Sequence, residues 1–217
     1  IMLAPFWVSY EITVRFAGGT PVVLHASVEE NYKVPASRIA AAITPKTKLI
    51  VLNSPSNPSG AVWSKAELQE LANIVRAHPH LMVLSDEIYE YIIFDGEMNS
   101  FGALPGMRER TITVNGFSKG FAMTGWRLGY AAAPEPIAKA MARMQSAITA
   151  GANQFVQRAA IAALEGPRDA VERMRTEYQL RRDMVLGGLT AIPGVKAGQI
   201  PATFYAFPDV SALLGRT

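Results

Sequence analysis

The sequence predicts an α/β fold that is built on a mostly parallel, doubly wound β-sheet. Short apolar runs that are typical of strands recur along the chain, and segments with the apolar spacing of helices lie between them. Strands that alternate with helices indicate parallel pairing, because each helical crossover returns the chain to the same edge of the sheet.

Five strands are predicted from apolar runs that end at polar or turn-forming residues, namely residues 21–28, 48–54, 81–87, 111–115 and 127–133. The opening residues "IMLAPFW" also resemble a strand and lack an initiator methionine, and the chain closes on "VSALLGRT" without an obvious terminal element. We therefore expect this sequence to be an internal piece of a longer protein.

The clearest helix covers residues 64–78. Ser64 is its expected N-cap, and Glu67 three residues later completes a capping box. An apolar stripe at helical spacing follows, formed by Leu68, Leu71, Ala72 and Val75.

Further helices are predicted at residues 137–150, 155–165 and 168–189, with Gly166 and Pro167 as a break before the last. Short strand-like segments follow around Val195 and at residues 204–207, so a change of domain is expected near the long helix. The "RMRTEYQLRRD" cluster of that helix is interpreted as a solvated face.

Composition limits the classes of function. Of 217 residues, 21 are basic and 18 acidic, the net charge is +3, and no basic cluster indicates nucleic-acid binding. The absence of cysteine excludes a disulfide scaffold or a thiolate metal site, and the three histidines (His25, His78 and His80) do not have the spacing of a zinc site. No apolar run reaches the roughly 20 residues of a membrane helix.

Polar and aromatic residues that end successive strand units form the candidate site. Ligands of open α/β sheets bind at the carboxyl ends of the strands, so these residues are expected to share one crevice. Each of them alone also has an ordinary structural interpretation, such as a turn residue or a surface cation. Their co-occurrence singles them out: Trp7, Asn57, Asp86, Tyr89, Lys119 and Arg127.

This combination suits pyridoxal phosphate. A lysine amine forms a Schiff base with an aldehyde, and pyridoxal phosphate is the aldehyde cofactor whose pyridine nitrogen needs a carboxylate partner. Lys119 would form the Schiff base, and Asp86 would hold the ring nitrogen protonated. The ring could then accept electrons from the carbon that loses a proton.

The other four residues would contact the rest of the cofactor. Tyr89 and Asn57 would donate hydrogen bonds to the ring 3'-oxygen. Arg127 would clamp the phosphate with two parallel hydrogen bonds, and Trp7 would stack on the face of the ring.

Long stretches of the chain closely resemble the class I pyridoxal-phosphate aminotransferases of fold type I, most of all the prokaryotic aspartate aminotransferase subgroup. The stretches are "APFWVSYEITVRFAGGTPV", "AAITPKTKLIVLNSPSNPSGAVWS", "LSDEIYEYIIFDG", "TVNGFSKGFAMTGWRLGYAAAPEPIAKAM" and "LRRDMVLGGL". The resemblance implies a three-layer α/β/α major domain, incomplete at its start, over residues 1–166. It also implies the start of a smaller α+β C-terminal domain over residues 167–217.

The resemblance further implies a role for each residue. Lys119, Asp86 and Tyr89 would be catalytic, and Asn57 and Trp7 would also contact the substrate. The protein would transfer an amino group from an amino acid, aspartate or glutamate, to a 2-oxo acid. It would be a cytoplasmic homodimer that binds neither nucleic acid nor membrane, with residues 144–152 near the partner subunit.

Some of the expected machinery departs from the family or is absent from the sequence. Gly116 stands where many relatives carry a phosphate-binding serine, and residues 202–205 read "ATFY" where the family has "GAFY". The phosphate-cradling loop is expected upstream of Ile1, and the arginine that grips the substrate carboxylate is expected downstream of Thr217.

Two other functions use the same scaffold. One is a carbon-sulfur β-lyase, whose relatives often have histidine at the position of Tyr89. The other is a regulator that senses pyridoxal phosphate through an aminotransferase-like domain, which a DNA-binding segment before Ile1 would reveal.

Overall fold

One mixed sheet organises the computed structural model, which describes residues 1–215. Its strands in chain order are β1 Met2–Ala4, β2 Val23–His25, β3 Leu49–Asn53, β4 Met82–Asp86, β5 Thr111–Gly116 and β6 Gly129–Ala132. They lie in the order β2-β1-β3-β4-β5-β6. Every neighbouring pair is parallel except β5 and β6, so the prediction of a mostly parallel sheet is confirmed.

Six α-helices accompany the sheet: α1 Ser9–Phe16, α2 Ala36–Ala41, α3 Lys65–Ala77, α4 Glu135–Thr149, α5 Gln154–Glu165 and α6 Asp169–Thr190. The sequence predicts α3 to α6 but not α1 or α2. Helix α1 is rich in β-branched and aromatic residues and buries none of them, so it lacks the usual apolar stripe of a helix. No helix among residues 1–215 is long and apolar enough to cross a membrane.

Helix α3 covers one face of the sheet. Its buried stripe packs in one hydrophobic core with β3 and β4, which contribute Ile50, Leu52 and Val83. At its start the Ser64 hydroxyl accepts a hydrogen bond from the Glu67 N–H, and the Glu67 carboxylate accepts one from the Ser64 N–H, so the predicted capping box is confirmed.

Replacing Ser64 with alanine is expected to lower the free energy of unfolding by about 1 kcal/mol, because the Glu67 N–H loses the hydroxyl oxygen that accepts its hydrogen bond. Urea unfolding of the complete protein measures this difference. Exposed Ser37 of α2, substituted in the same way, is the matched control. Equal stabilities of the two variants would contradict a role for the cap.

The predicted strand at residues 204–207 does not form. The chain there makes only isolated bridges, Ile93 with Ala202 and Lys196 with Asp209. Thr203 adopts a positive φ of 67°, which interrupts an extended run immediately before Phe204. The boundary at residue 166 stays a prediction, and residues 216–217 of the predicted second domain lie outside the described residues.

The charged cluster of α6 is not a solvated face throughout. The side chain of Arg182 is only 10% exposed. Its guanidinium donates to Asp95 at 2.7 Å and to the Ile200 carbonyl at 2.5 Å, and it lies 5.1 Å from the centre of the Phe94 ring. Arg182 thus ties α6 to the segments after β4 and around Ile200.

Candidate functional site

The parallel register brings the ends of β3, β4 and β5 together. Asn53 is paired with Asp86 at the ends of β3 and β4, and Asp86 is paired with Val114 of β5. The Asn53 side-chain amide donates to the Asp86 carbonyl at 2.9 Å, which joins the two strand ends. Lys119 follows the end of β5 in the next turn. These strand ends and the turn that carries Lys119 therefore lie at one edge of the sheet, and the shared crevice stays a prediction.

Asp86 is a largely buried carboxylate with two neutral hydrogen-bond donors. The Tyr10 hydroxyl donates to its Oδ2 at 2.5 Å, and the Ile88 N–H donates to its Oδ1 at 3.2 Å. Burial raises the pKa of Asp86, while these two hydrogen bonds act in the opposite direction. Within residues 1–215 no lysine or arginine forms an ion pair with Asp86, so the site has an acceptor suited to a cationic N–H group.

Tyr10 is a member of the site that the sequence did not reveal. It lies on α1, and its burial next to Asp86 raises the pKa of its hydroxyl, so Tyr10 is a neutral donor at physiological pH. The Trp7 ring stands edge-on to Tyr10 at a centroid distance of 5.5 Å and is 48% exposed. Tyr10 follows Trp7 by three residues, a spacing that brings side chains together on a helix. This spacing would have indicated Tyr10 if the segment had been recognised as the start of a helix.

Asn57 and Tyr89 meet at a third side chain, Tyr205. The Asn57 amide donates to the Tyr205 hydroxyl oxygen at 3.3 Å, and the hydroxyl oxygens of Tyr89 and Tyr205 lie 2.9 Å apart. The backbone N–H of Asn57 is held by the Asn53 side chain at 2.7 Å. Asn57 and Tyr89 are therefore brought together at the Tyr205 hydroxyl.

Lys119 lies close to Tyr89. Its Nζ lies 5.9 Å from the centre of the Tyr89 ring and 5.7 Å from that of Phe204, and no carboxylate among residues 1–215 pairs with it. Gly120 makes this turn possible, because a Cβ there would lie 2.5 Å from the Tyr91 ring. The amine thus lies near two aromatic rings and has no ion-pair partner among the described residues.

Arg127 lies beside the lysine turn and forms no hydrogen bond or ion pair with Asp86, Asn57 or Tyr89. Its Nη1 donates to the Thr124 carbonyl at 2.8 Å, and the Thr124 hydroxyl donates to the Ser118 carbonyl at 2.9 Å. Its backbone is left-handed, with a φ of 53°. The guanidinium is exposed, so most of its N–H groups face solvent.

One of the two departures from the family pattern has a local structural reason. A Cβ at Gly116 would lie 2.9 Å from the Cα of Gly129 and 3.0 Å from the Leu128 carbonyl, so the close pairing of β5 and β6 excludes serine unless β6 moves. Ala202, in the second departure, is fully buried, and its contacts do not explain the alanine.

Comparisons with known proteins agree on one family. The family profile described as "Aminotransferase class I and II" matches residues 1–215. An aspartate/prephenate aminotransferase of Cereibacter sphaeroides is 42% identical over 100% of this chain and 55% of its own length. The chain therefore spans about half the length of the curated relatives it matches.

Two solved structures have the same fold. The aspartate aminotransferase of Rhizobium meliloti superposes with a TM-score of 0.94 at 41% identity, over 99% of this chain and 54% of that chain. The aspartate aminotransferase of Thermus thermophilus with maleate gives a TM-score of 0.92 at 43% identity, over 99% and 56%. Both cover the sheet and the helices that position the crevice.

Proposed function

The chain belongs to the aminotransferase class I and II family, and from that premise we propose that the complete protein transfers amino groups between amino acids and 2-oxo acids. One observation in the structure carries the proposal. The Lys119 amine lies 5.9 Å from the centre of the Tyr89 ring, Tyr89 meets Asn57 at the Tyr205 hydroxyl, and Asp86, a largely buried carboxylate without an ion-pair partner among residues 1–215, ends the strand before Tyr89. Aminotransferases need these groups, and simple packing does not.

The residues present fit pyridoxal phosphate. Asp86 would accept from the protonated ring nitrogen, Tyr89 and Asn57 would donate to the ring 3'-oxygen, and Trp7 would lie against the ring face. Arg127 would hold the phosphate with the N–H groups that face solvent. When bound, the cofactor supplies an aldehyde that amines can attack and an electron-poor ring that withdraws electrons from the substrate α-carbon.

The chain's own groups then perform three tasks. Lys119 would hold the cofactor, and its Nζ would take the proton from the α-carbon of the amino acid. Asp86 would keep a proton on the ring nitrogen through its negative charge, which the surrounding protein shields from water. Tyr89 and Asn57 would stabilise negative charge on the ring oxygen and help to orient the ring.

The proposed amino donor is aspartate or glutamate. The Cereibacter relative is named for aspartate and prephenate, and the Thermus relative is described with maleate, a dicarboxylate. Asn57 and Trp7 are the residues of this chain proposed to contact the substrate. The arginine that would bind the α-carboxylate is proposed to lie outside this sequence.

We further propose that the complete protein is a cytoplasmic homodimer. Residues 144–152 would lie near the partner subunit, where Met144 and Ile148 leave large apolar side chains exposed, at 64% and 73%. Apolar side chains of this kind along one helix are typical of surfaces that become covered in an assembly.

The proposal is tested on the full reading frame, extended at both ends and supplied with pyridoxal phosphate. Aspartate with 2-oxoglutarate should yield oxaloacetate and glutamate, followed by absorbance in a coupled assay. An S-substituted cysteine serves as the competing substrate, because a β-lyase would release pyruvate and a thiol from it. Release of these products without amino transfer would contradict the proposal. Tyr89, at the position where lyase relatives often carry histidine, favours the aminotransferase.

A further inference from the structure

Tyr205 joins the two side chains that face the proposed cofactor ring. Its hydroxyl oxygen lies 3.3 Å from the Asn57 amide nitrogen and 2.9 Å from the Tyr89 hydroxyl oxygen. Its ring also stands edge-on to the Tyr89 ring at 5.8 Å. These contacts span 148 and 116 residues of sequence, so they link the segment after α6 to the ends of β3 and β4.

We propose that Tyr205 is a positioning residue that acts through this link: its hydroxyl accepts a hydrogen bond from Asn57, donates its own proton to the Tyr89 oxygen, and so strengthens Tyr89 as a donor. The inference rests on the proposed aminotransferase function, and it adds a residue and a proton arrangement to that site.

The direction of the protons follows from counting donors. The Asn57 amide donates to Tyr205, so this hydroxyl oxygen is already an acceptor. Tyr89 has one proton, which its proposed task directs to the cofactor's 3'-oxygen. The proton between the two tyrosines must then come from Tyr205. A hydroxyl that accepts a hydrogen bond is itself a stronger donor, because the two bonds polarise each other.

The surroundings hold this arrangement in place. Burial raises the pKa of Tyr89, so its hydroxyl keeps its proton at neutral pH. The segment that carries Tyr205 is fixed by the Thr203 N–H, which donates to the Ile92 carbonyl at 2.8 Å, and by the bridge of Ala202 with Ile93. Ile92 follows Tyr89 by one turn, so both tyrosines are anchored to the same stretch of backbone.

The test is Tyr205→Phe in the complete protein, which removes one oxygen and keeps the ring. The readout is the pH titration of the absorbance of bound pyridoxal phosphate, together with kcat and KM for aspartate. Without the proton from Tyr205, Tyr89 donates a weaker hydrogen bond, so more electron density stays on the cofactor's 3'-oxygen. The cofactor proton that the absorbance titration follows is then lost at a higher pH. We expect the titration midpoint to rise by roughly 0.3–1 pH unit, and kcat to fall more than KM changes.

Tyr32→Phe is the matched control. The Tyr32 hydroxyl donates to the Phe207 carbonyl at 2.6 Å and its ring packs on Phe207, so it anchors the same segment without contacting Asn57 or Tyr89. This variant should titrate as the wild type does. Equal shifts in both variants would overturn the proposal, because they would reflect the anchoring of the segment alone.

A double-mutant cycle with Tyr89→Phe separates the remaining outcomes. In that background Tyr205→Phe should shift the midpoint by close to zero, because its effect passes through the Tyr89 oxygen. An undiminished shift would overturn the proposal. The proposal would also be overturned if Tyr205→Phe alone left the titration midpoint unchanged. If that variant still transferred amino groups, the proposed function would remain intact. A wild type that binds no pyridoxal phosphate would overturn both.

Discussion

Replacing Lys119 with alanine is expected to lower kcat for amino transfer by ~10³-fold or more, within the range that positioned acid–base groups contribute. Alanine removes both the amine proposed to hold the cofactor and the base proposed to take the α-proton. The two aromatic rings near the Lys119 Nζ, Tyr89 and Phe204, offer no second amine. The measurement is steady-state turnover of aspartate with 2-oxoglutarate by the complete protein.

The matched control is Lys139→Ala on helix α4. Lys139 is exposed and forms an ion pair with Glu135 four residues earlier, so its removal should leave kcat unchanged. Borohydride reduction of the wild type with pyridoxal phosphate should also attach the label to the peptide that contains Lys119. Label on a different lysine, or activity of Lys119→Ala within tenfold of wild type, would show that another amine serves the reaction.

Asp86→Asn is expected to lower kcat by about 10²–10³-fold, or roughly 2.7–4 kcal/mol, the cost of removing one preorganised electrostatic partner. Asparagine keeps the shape of the side chain and its place beside Tyr10, but it lacks the charge that we propose holds a proton on the ring nitrogen. Cofactor affinity should change less than kcat, because the phosphate and the ring oxygen keep their partners. The two quantities are measured by cofactor titration and by turnover.

Exposed Asp169, in the first turn of α6, offers the same substitution away from the crevice. Asp169→Asn should retain full turnover. Thermal unfolding of both variants establishes that each is folded. A loss of less than tenfold in Asp86→Asn would indicate that this carboxylate mainly orders the backbone at Ile88 and the Tyr10 hydroxyl.

Local sequence patterns were sufficient to predict several of the strands and helices. The strand ends of β3, β4 and β5, helix α3 with its cap, and the succession of strand and helix all follow from apolar spacing and turn chemistry within a short window. Helix α1 did not follow, because its apolar side chains are exposed and show no buried stripe.

The sequence by itself determined which residue types end the strands, and hence the chemistry proposed for Lys119, Asp86, Tyr89 and Asn57. Parallel pairing then required these strand ends to meet at one edge.

Only the tertiary structure decided which side chains complete the crevice. The contact of Tyr10 with Asp86 and those of Tyr205 with Asn57 and Tyr89 join positions separated by 76, 148 and 116 residues. The periodicity of apolar residues depends on positions that are close in sequence, so it gives no information about contacts between distant positions. The same holds for Gly116, where the closeness of β6 is what excludes a larger side chain.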